Sequence, residues 1–283
     1  MTAKILKGAE VTEAMNARLL SRSEALRTKG INPTLAIIRV GERGDDISYE
    51  RGATKRAEKV GVDVKNVLLH ENVTQDELIK TVKDINADDS VHGVLMFRPL
   101  PSHIDEDVVR NTLEPSKDVD GITDLSLAGV FAGIDTGYAP CTAQACMEIL
   151  AHNNYDLQGK NAVVVGRSLV IGKPVAMMLL GKNATVTLCH SRSKNLSDIV
   201  AAADIVIACV GRAKMLDANY LSEGQVVIDV GINVTEDGSL IGDVDFNAAE
   251  QTVESITPVP GGVGTVTTSV LMQHVIDAAT KTA

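Results

Sequence analysis

Val163-Val164-Val165-Gly166-Arg167-Ser168-Leu169-Val170-Ile171-Gly172-Lys173-Pro174 is the stretch that decides the fold. Its β-branched apolar run predicts a strand buried on both faces, as in a parallel sheet covered by helices. The run stops at Gly166, and a helix opens near Gly172. A glycine at such a strand end lets backbone amides approach a pyrophosphate on the following helix N-terminus. Ser168 stands where the usual glycine-rich fingerprint has its second glycine. A plain strand–glycine–helix turn therefore fits the same residues.

The alternation continues outward on both sides. Downstream, the pattern predicts strands over 185–189, 205–210 and 225–230, with helices over 172–180, 196–203 and 266–279. Upstream, Val11, Met15, Leu19, Leu20 and Leu26 recur at helical spacing, and Gly30 ends that helix. Strands follow over 34–40, 64–69 and 91–97, with helices over 47–60 and 74–85 between them. The second of these helices is opened by a Thr74/Glu77 capping box. A helix over 142–151 bridges the two halves, so the fold class is α/β, with strands and helices alternating in each half. Residues 102–137 read as a long polar loop with short helices, a kind of segment that is usually functional.

With 283 residues, 45% hydrophobic, the chain is long enough for two cores and too apolar to be disordered. Its net charge of −10 argues against nucleic acid or acidic membrane as partner. The absence of Trp argues against aromatic platforms for single strands. No apolar run reaches the ~18 residues of a membrane span, and the N-terminus lacks a signal-peptide pattern. The four cysteines show no CxxC spacing, and no histidine stands at metal-ligand spacing from another His or Cys. The reading is a cytoplasmic protein with reduced thiols and no metal.

The end of the 185–189 strand selects the dinucleotide. An NAD site places Asp or Glu there to accept the ribose hydroxyls. Here the residues are His190-Ser191-Arg192-Ser193-Lys194. Hydroxyls and a cation suit a 2′-phosphate, so NADP is expected, with Ser191, Arg192 and Arg167 at the phosphate. A solvated basic loop is the other reading. Asp229-Val230-Gly231-Ile232-Asn233 ends a further strand and falls where α/β sheets bind ligands. Pro258-Val259-Pro260-Gly261-Gly262-Val263-Gly264 could close its amides over a planar ligand, or be a simple Pro/Gly turn.

Taken together with Lys117-Asp118-Val119-Asp120-Gly121, and in this order, these segments resemble the methylenetetrahydrofolate dehydrogenase/cyclohydrolase (FolD) family over essentially the whole chain. The resemblance implies a folate-side α/β domain, residues 1–141 completed by 266–283. It also implies a Rossmann domain over 142–265, with a cleft between the two and a homodimer joined through the Rossmann domains. The implied substrates are tetrahydrofolate one-carbon derivatives. Tyr49 would lie beneath the pterin and take part in catalysis. Asp120 would hydrogen-bond the pterin, and Pro260, Gly261 and Gly262 would cover it. NADP would lie on Gly166, Arg167, Ser168, Gly172, Ser191, Arg192 and Ile232. Asp118 and Asp120, two apart, would share a face of an extended segment; Asp120 is the one expected at the ligand.

The sequence also departs from the family. The family's helix carries a Lys four residues after the Tyr, where this chain has Ala53. Its Gln before the Pro-Leu-Pro segment is replaced by Phe97, followed by Arg98. Hydride transfer from the methylene carbon needs no protein base, because the neighbouring nitrogens stabilise the cation. Hydrolysis of that cation needs protons moved, and a Lys of lowered pKa supplies this. Arg56 lies on the face of Ala53 but stays protonated, and Lys55 points elsewhere. The expectation is a dehydrogenase with a weak or absent cyclohydrolase. A bifunctional enzyme with a rearranged shuttle and a catalytically inactive folate/NADP-binding protein are the alternatives.

Overall fold

The computed structural model describes residues 2–282. In chain order the first half contains β1 (Lys4–Ile5), α1 (Gly8–Arg27), β2 (Thr34–Val40), α2 (Gly44–Lys59), β3 (Asp63–Leu69), α3 (Gln75–Asn86), β4 (Gly93–Met96), α4 (Glu106–Arg110) and α5 (Asp124–Ala132). The second half contains α6 (Cys141–His152), β5 (Asn161–Val165), α7 (Gly172–Gly181), β6 (Thr185–Cys189), α8 (Leu196–Ala201), β7 (Ile205–Ala208), β8 (Val226–Asp229), β9 (Asn233–Val234), β10 (Leu240–Ile241), α9 (Phe246–Glu250), β11 (Ser255–Ile256) and α10 (Val263–Lys281). Among the described residues no helix is long and apolar enough to cross a membrane.

The chain divides into two compact units. One unit comprises the residues up to Glu13 and Thr142–Thr267. Its six-stranded sheet runs β1-β11-β8-β7-β5-β6, parallel throughout. Val163, Val165, Val206, Ala208 and Val227 form its core with Leu216, Val244 and Ile256. Every residue of β7 and β8 is buried, as strands covered by helices on both faces require. β5 is flanked by β6 on one side and β7 on the other, so strand order reverses there and opens a crevice at the carboxyl ends.

The opening residues, expected with the folate-side domain, belong to this unit. Lys4–Ile5 pairs in parallel with Ser255–Ile256, and Leu6 N donates to Ile256 O at 2.8 Å. That edge position satisfies backbone groups which would otherwise stay unpaired.

The other unit holds Ala14–Cys141 and the segment from Thr268 onward. Its parallel sheet runs β3-β2-β4. Ala36, Ile38 and Val94 from this sheet pack with Leu78, Val82 and Ile85 of α3. The capping box is formed: Thr74 Oγ1 accepts from Glu77 N at 3.3 Å, and the Glu77 carboxylate accepts from Thr74 N at 2.9 Å. Within this unit α10 lies along α1, with Ser269 Oγ donating to Asn16 Oδ1 at 3.1 Å and Arg22 paired to Asp277 at 2.6 Å.

Candidate active site

Gly166 ends β5 in a buried turn at φ 128°, a backbone conformation L side chains rarely adopt. A Cβ built there would overlap the Cys209 carbonyl at the end of β7, and one on Gly172 would overlap the Gly166 carbonyl. The two glycines thus allow strand end and helix start to close on each other. Ser168 Oγ accepts from Ile171 N at 3.1 Å and Gly172 N at 3.5 Å, which caps α7. Arg167, Ser168, Leu169 and Val170 remain exposed. The result is a glycine-lined cradle ahead of a helix N-terminus, which fits a pyrophosphate.

At the end of β6, Ser191 and Arg192 are exposed. His190 is occupied locally: its Nδ1 accepts from Arg192 N at 3.1 Å, and its own N–H donates to Ser193 Oγ at 2.9 Å. No carboxylate stands in this turn, so it fits a ribose phosphate. After β8, Ile232 is 63% exposed, while Asp229 is buried and accepts from Gly231 N, Asp243 N and Val244 N at 2.9–3.0 Å. Burial pushes the Asp229 carboxyl up to about 6. The Asp229 backbone also exchanges hydrogen bonds with Thr257 Oγ1, at the root of the Pro258–Gly264 loop. Pro260, Gly261 (φ 100°) and Gly262 lie on that loop, in the unit of the six-stranded sheet.

In the other unit, Tyr49 sits on α2, 40% exposed. Its ring meets Phe97 edge to face, centroids 5.7 Å apart. Ala53, one turn on, is fully buried. Arg56 is half-buried; its Nε donates weakly to Thr268 Oγ1 at 3.4 Å, and burial lowers its pKa.

Asp118 and Asp120 do not share a face of an extended segment. Their backbone is a tight turn, with Gly121 N donating to Asp118 O at 3.1 Å. Asp118 is fully buried and spent on the loop, accepting from Ile122 N (2.9 Å), Thr123 N (2.8 Å) and Ser126 Oγ (2.6 Å). Asp120 is half-buried, bonded by the Cys141 side chain and near Arg98. Desolvation and the Asp118 charge push it up to about 6. Behind it, Cys141 Sγ and His274 Nδ1 both bond Val119 O, at 3.3 and 2.8 Å. No local pattern points to His274, which α10 brings in from about half the chain away. Among the described residues no group of His, Cys, Asp and Glu is placed to hold a metal ion.

A doubly wound sheet with a phosphate cradle in one unit, and an aromatic platform and a perturbed carboxylate in the other, define a two-domain dinucleotide-binding α/β protein. Residues 6–120 match the catalytic domain of tetrahydrofolate dehydrogenase/cyclohydrolase, and residues 140–283 match its NAD(P)-binding domain. The chain belongs to this family. The bifunctional protein FolD of Clostridioides difficile (strain 630) is 50% identical over 275 residues, covering 97% of this chain and 96% of that protein. FolD from Campylobacter jejuni superposes with a TM-score of 0.96 at 37% identity, covering 99% and 100% of the two chains. FolD of Trypanosoma brucei, solved with NADP cofactor and inhibitor, gives 0.92 at 34% identity over 100% and 99%.

Proposed function

We propose that this chain oxidises 5,10-methylenetetrahydrofolate to 5,10-methenyltetrahydrofolate with NADP, and that its cyclohydrolase step is weak or absent. The observation carrying this reading is the pair on α2 and just after β4. Tyr49 is kept as an aromatic platform against Phe97, while the next turn offers only the buried methyl of Ala53.

NADP would be held by Gly166, Arg167, Ser168 and Gly172 at the pyrophosphate, Ser191 and Arg192 at the 2′-phosphate, and Ile232 at the nicotinamide end. When bound, it supplies the acceptor for the hydride. Tyr49 packs on the folate rings. Ionised Asp120 accepts from the pterin N–H donors, and the Pro260-Gly261-Gly262 loop covers the ring. As the hydride leaves the bridge carbon, electron pairs on the two adjacent nitrogens stabilise the cation, so these residues have only to orient. Orientation of this kind contributes about 7–11 kcal/mol. Hydrolysis of the cation requires a group that takes a proton from water, and the two positions where the family carries its Lys and Gln offer none: Ala53 and Phe97 have no polar side-chain atom, and the neighbouring Arg56 keeps its proton.

The bifunctional names of the relatives favour a second reading, in which both steps occur with a displaced proton shuttle. Incubation with methylenetetrahydrofolate and NADP separates the two. NADPH with a persistent methenyl absorbance supports the dehydrogenase alone; a methenyl band decaying faster than an enzyme-free control supports both activities. No reduction with either NADP or NAD would mean a binding protein. A cytoplasmic homodimer joined through the Rossmann domains completes the proposal.

A further inference from the structure

One buried carboxylate beside the dinucleotide crevice has no part in this scheme. Asp243, between β10 and α9, is fully buried. Its Oδ2 accepts from Val210 N at 2.6 Å and Gly211 N at 2.9 Å. Its Oδ1 accepts from Arg212 N at 2.8 Å and Asn233 Nδ2 at 3.0 Å. Three consecutive amides wrapped round one carboxylate form a nest, the arrangement that elsewhere receives a phosphate. Here the chain's own side chain fills it.

Asp229 lies alongside, holding the amides of Gly231, Asp243 and Val244. A Cβ on Gly231 would overlap the Asp243 carboxylate, and one on Gly242 the Asp229 carboxylate. Glycine at both positions lets two carboxylates and two loops come together. N–H donors satisfy the oxygens of both carboxylates, but they leave the two acidic side chains side by side in a buried place. Among the described residues no salt bridge reaches either; Lys214, on the wall of the small cavity beside Asp229, pairs instead with Asp245 at 4.0 Å.

Strand order says which part of a dinucleotide lies above them. β5 and β6 form the first mononucleotide half, with Ser191 and Arg192 at its adenosine end. The loops after β7 and β8 are across the switch point, where the nicotinamide half belongs. Only the oxidised nicotinamide brings a positive ring to that place.

We propose that Asp243 is a positioning residue that fixes the β7 loop by filling its amide nest and, together with Asp229, biases the site toward the oxidised dinucleotide. The inference rests on the NADP reading above. It gives the site a direction: the oxidised form is held and the reduced form, lacking the ring charge, is released.

The test is titration calorimetry of the full chain with NADP and with NADPH, wild type against Asp243→Asn. Asparagine keeps the shape and part of the nest but removes the charge. The expected result is a fall of about tenfold in the ratio Kd(NADPH)/Kd(NADP), mostly through weaker NADP binding. Equal changes in both constants, or none, would overturn the inference while leaving the dinucleotide reading intact. Failure of both forms to bind the wild type would overturn both.

If Asp243→Asn does not fold, the wild type serves. Lowering the pH from 8 to 5 protonates Asp229, whose neighbours are Asp243 and, around the small cavity behind it, Lys214 and Asp245. The ratio then falls because the negative charge near the ring is lost, whereas titration of the 2′-phosphate is common to both forms and cancels. A constant ratio contradicts the inference.

Discussion

Substrate affinity is expected to follow the ionisation of Asp120. The carboxyl stands at about 6 rather than its ordinary 3.8, because it is desolvated and because Asp118 lies next to it. Only the ionised form can accept both pterin N–H donors. The sign follows directly: above pH 6 Asp120 is charged and binds, and as pH falls through 6 it takes a proton and the pterin loses its acceptor. With a midpoint of about 6, the KM for methylenetetrahydrofolate at pH 5 is about elevenfold its value at pH 8, while kcat stays nearly constant because bound substrate holds the carboxylate ionised. The assay is initial rates at saturating NADP across pH 5–8. Asp120→Asn is the control, with a raised KM that no longer varies with pH. A wild-type KM flat down to pH 5, or a kcat that falls in its place, would refute the assignment of Asp120 to the pterin. The same shift acts on stability in the opposite sense: the raised carboxyl favours the fold at low pH, and this contribution is lost as pH rises through 6.

Three further outcomes follow from the site. Gly166→Ala places a Cβ on the Cys209 carbonyl at a φ of 128°; strain of this kind costs about 1–3 kcal/mol, so the melting temperature drops and calorimetry shows NADP binding lost. Arg192→Ala removes a cation from the 2′-phosphate turn and raises the Kd for NADP about tenfold, with NAD unchanged; a parallel loss for both cofactors would place Arg192 elsewhere. Ala53→Lys puts an amine into a fully buried position one turn from Tyr49. Desolvation lowers its pKa toward neutrality, and methenyl decay accelerates at least ~10²-fold if the proton shuttle is all that is missing.

Much of the fold was legible because its signals are local. Leu35–Ile38 and Val163–Val165 are unbroken apolar runs, as a covered parallel strand requires. Thr74 and Glu77 announce a helix by their chemistry alone. β1 was not legible: a two-residue strand has no period, and it forms because Ser255–Ile256 offers an open edge. In the site, Gly166 and Ser191 could be placed from strand ends. The division of labour between Asp118 and Asp120 could not, since it depends on which carboxylate meets the Ile122 and Thr123 amides. Asp243 is illegible in the sequence for the same reason. Its partners at 210–212 and 233 are brought to it by the sheet, and the only cue in the sequence is the glycine before it and the one at 231.

The proposed activity is hydride transfer without the proton transfer that normally follows. The most direct measurement is simultaneous recording of NADPH and methenyl absorbance on purified protein given methylenetetrahydrofolate and NADP. Equal molar amounts of the two are expected, the methenyl band then decaying at the enzyme-free rate. NADPH accumulating while the methenyl band never rises would contradict it.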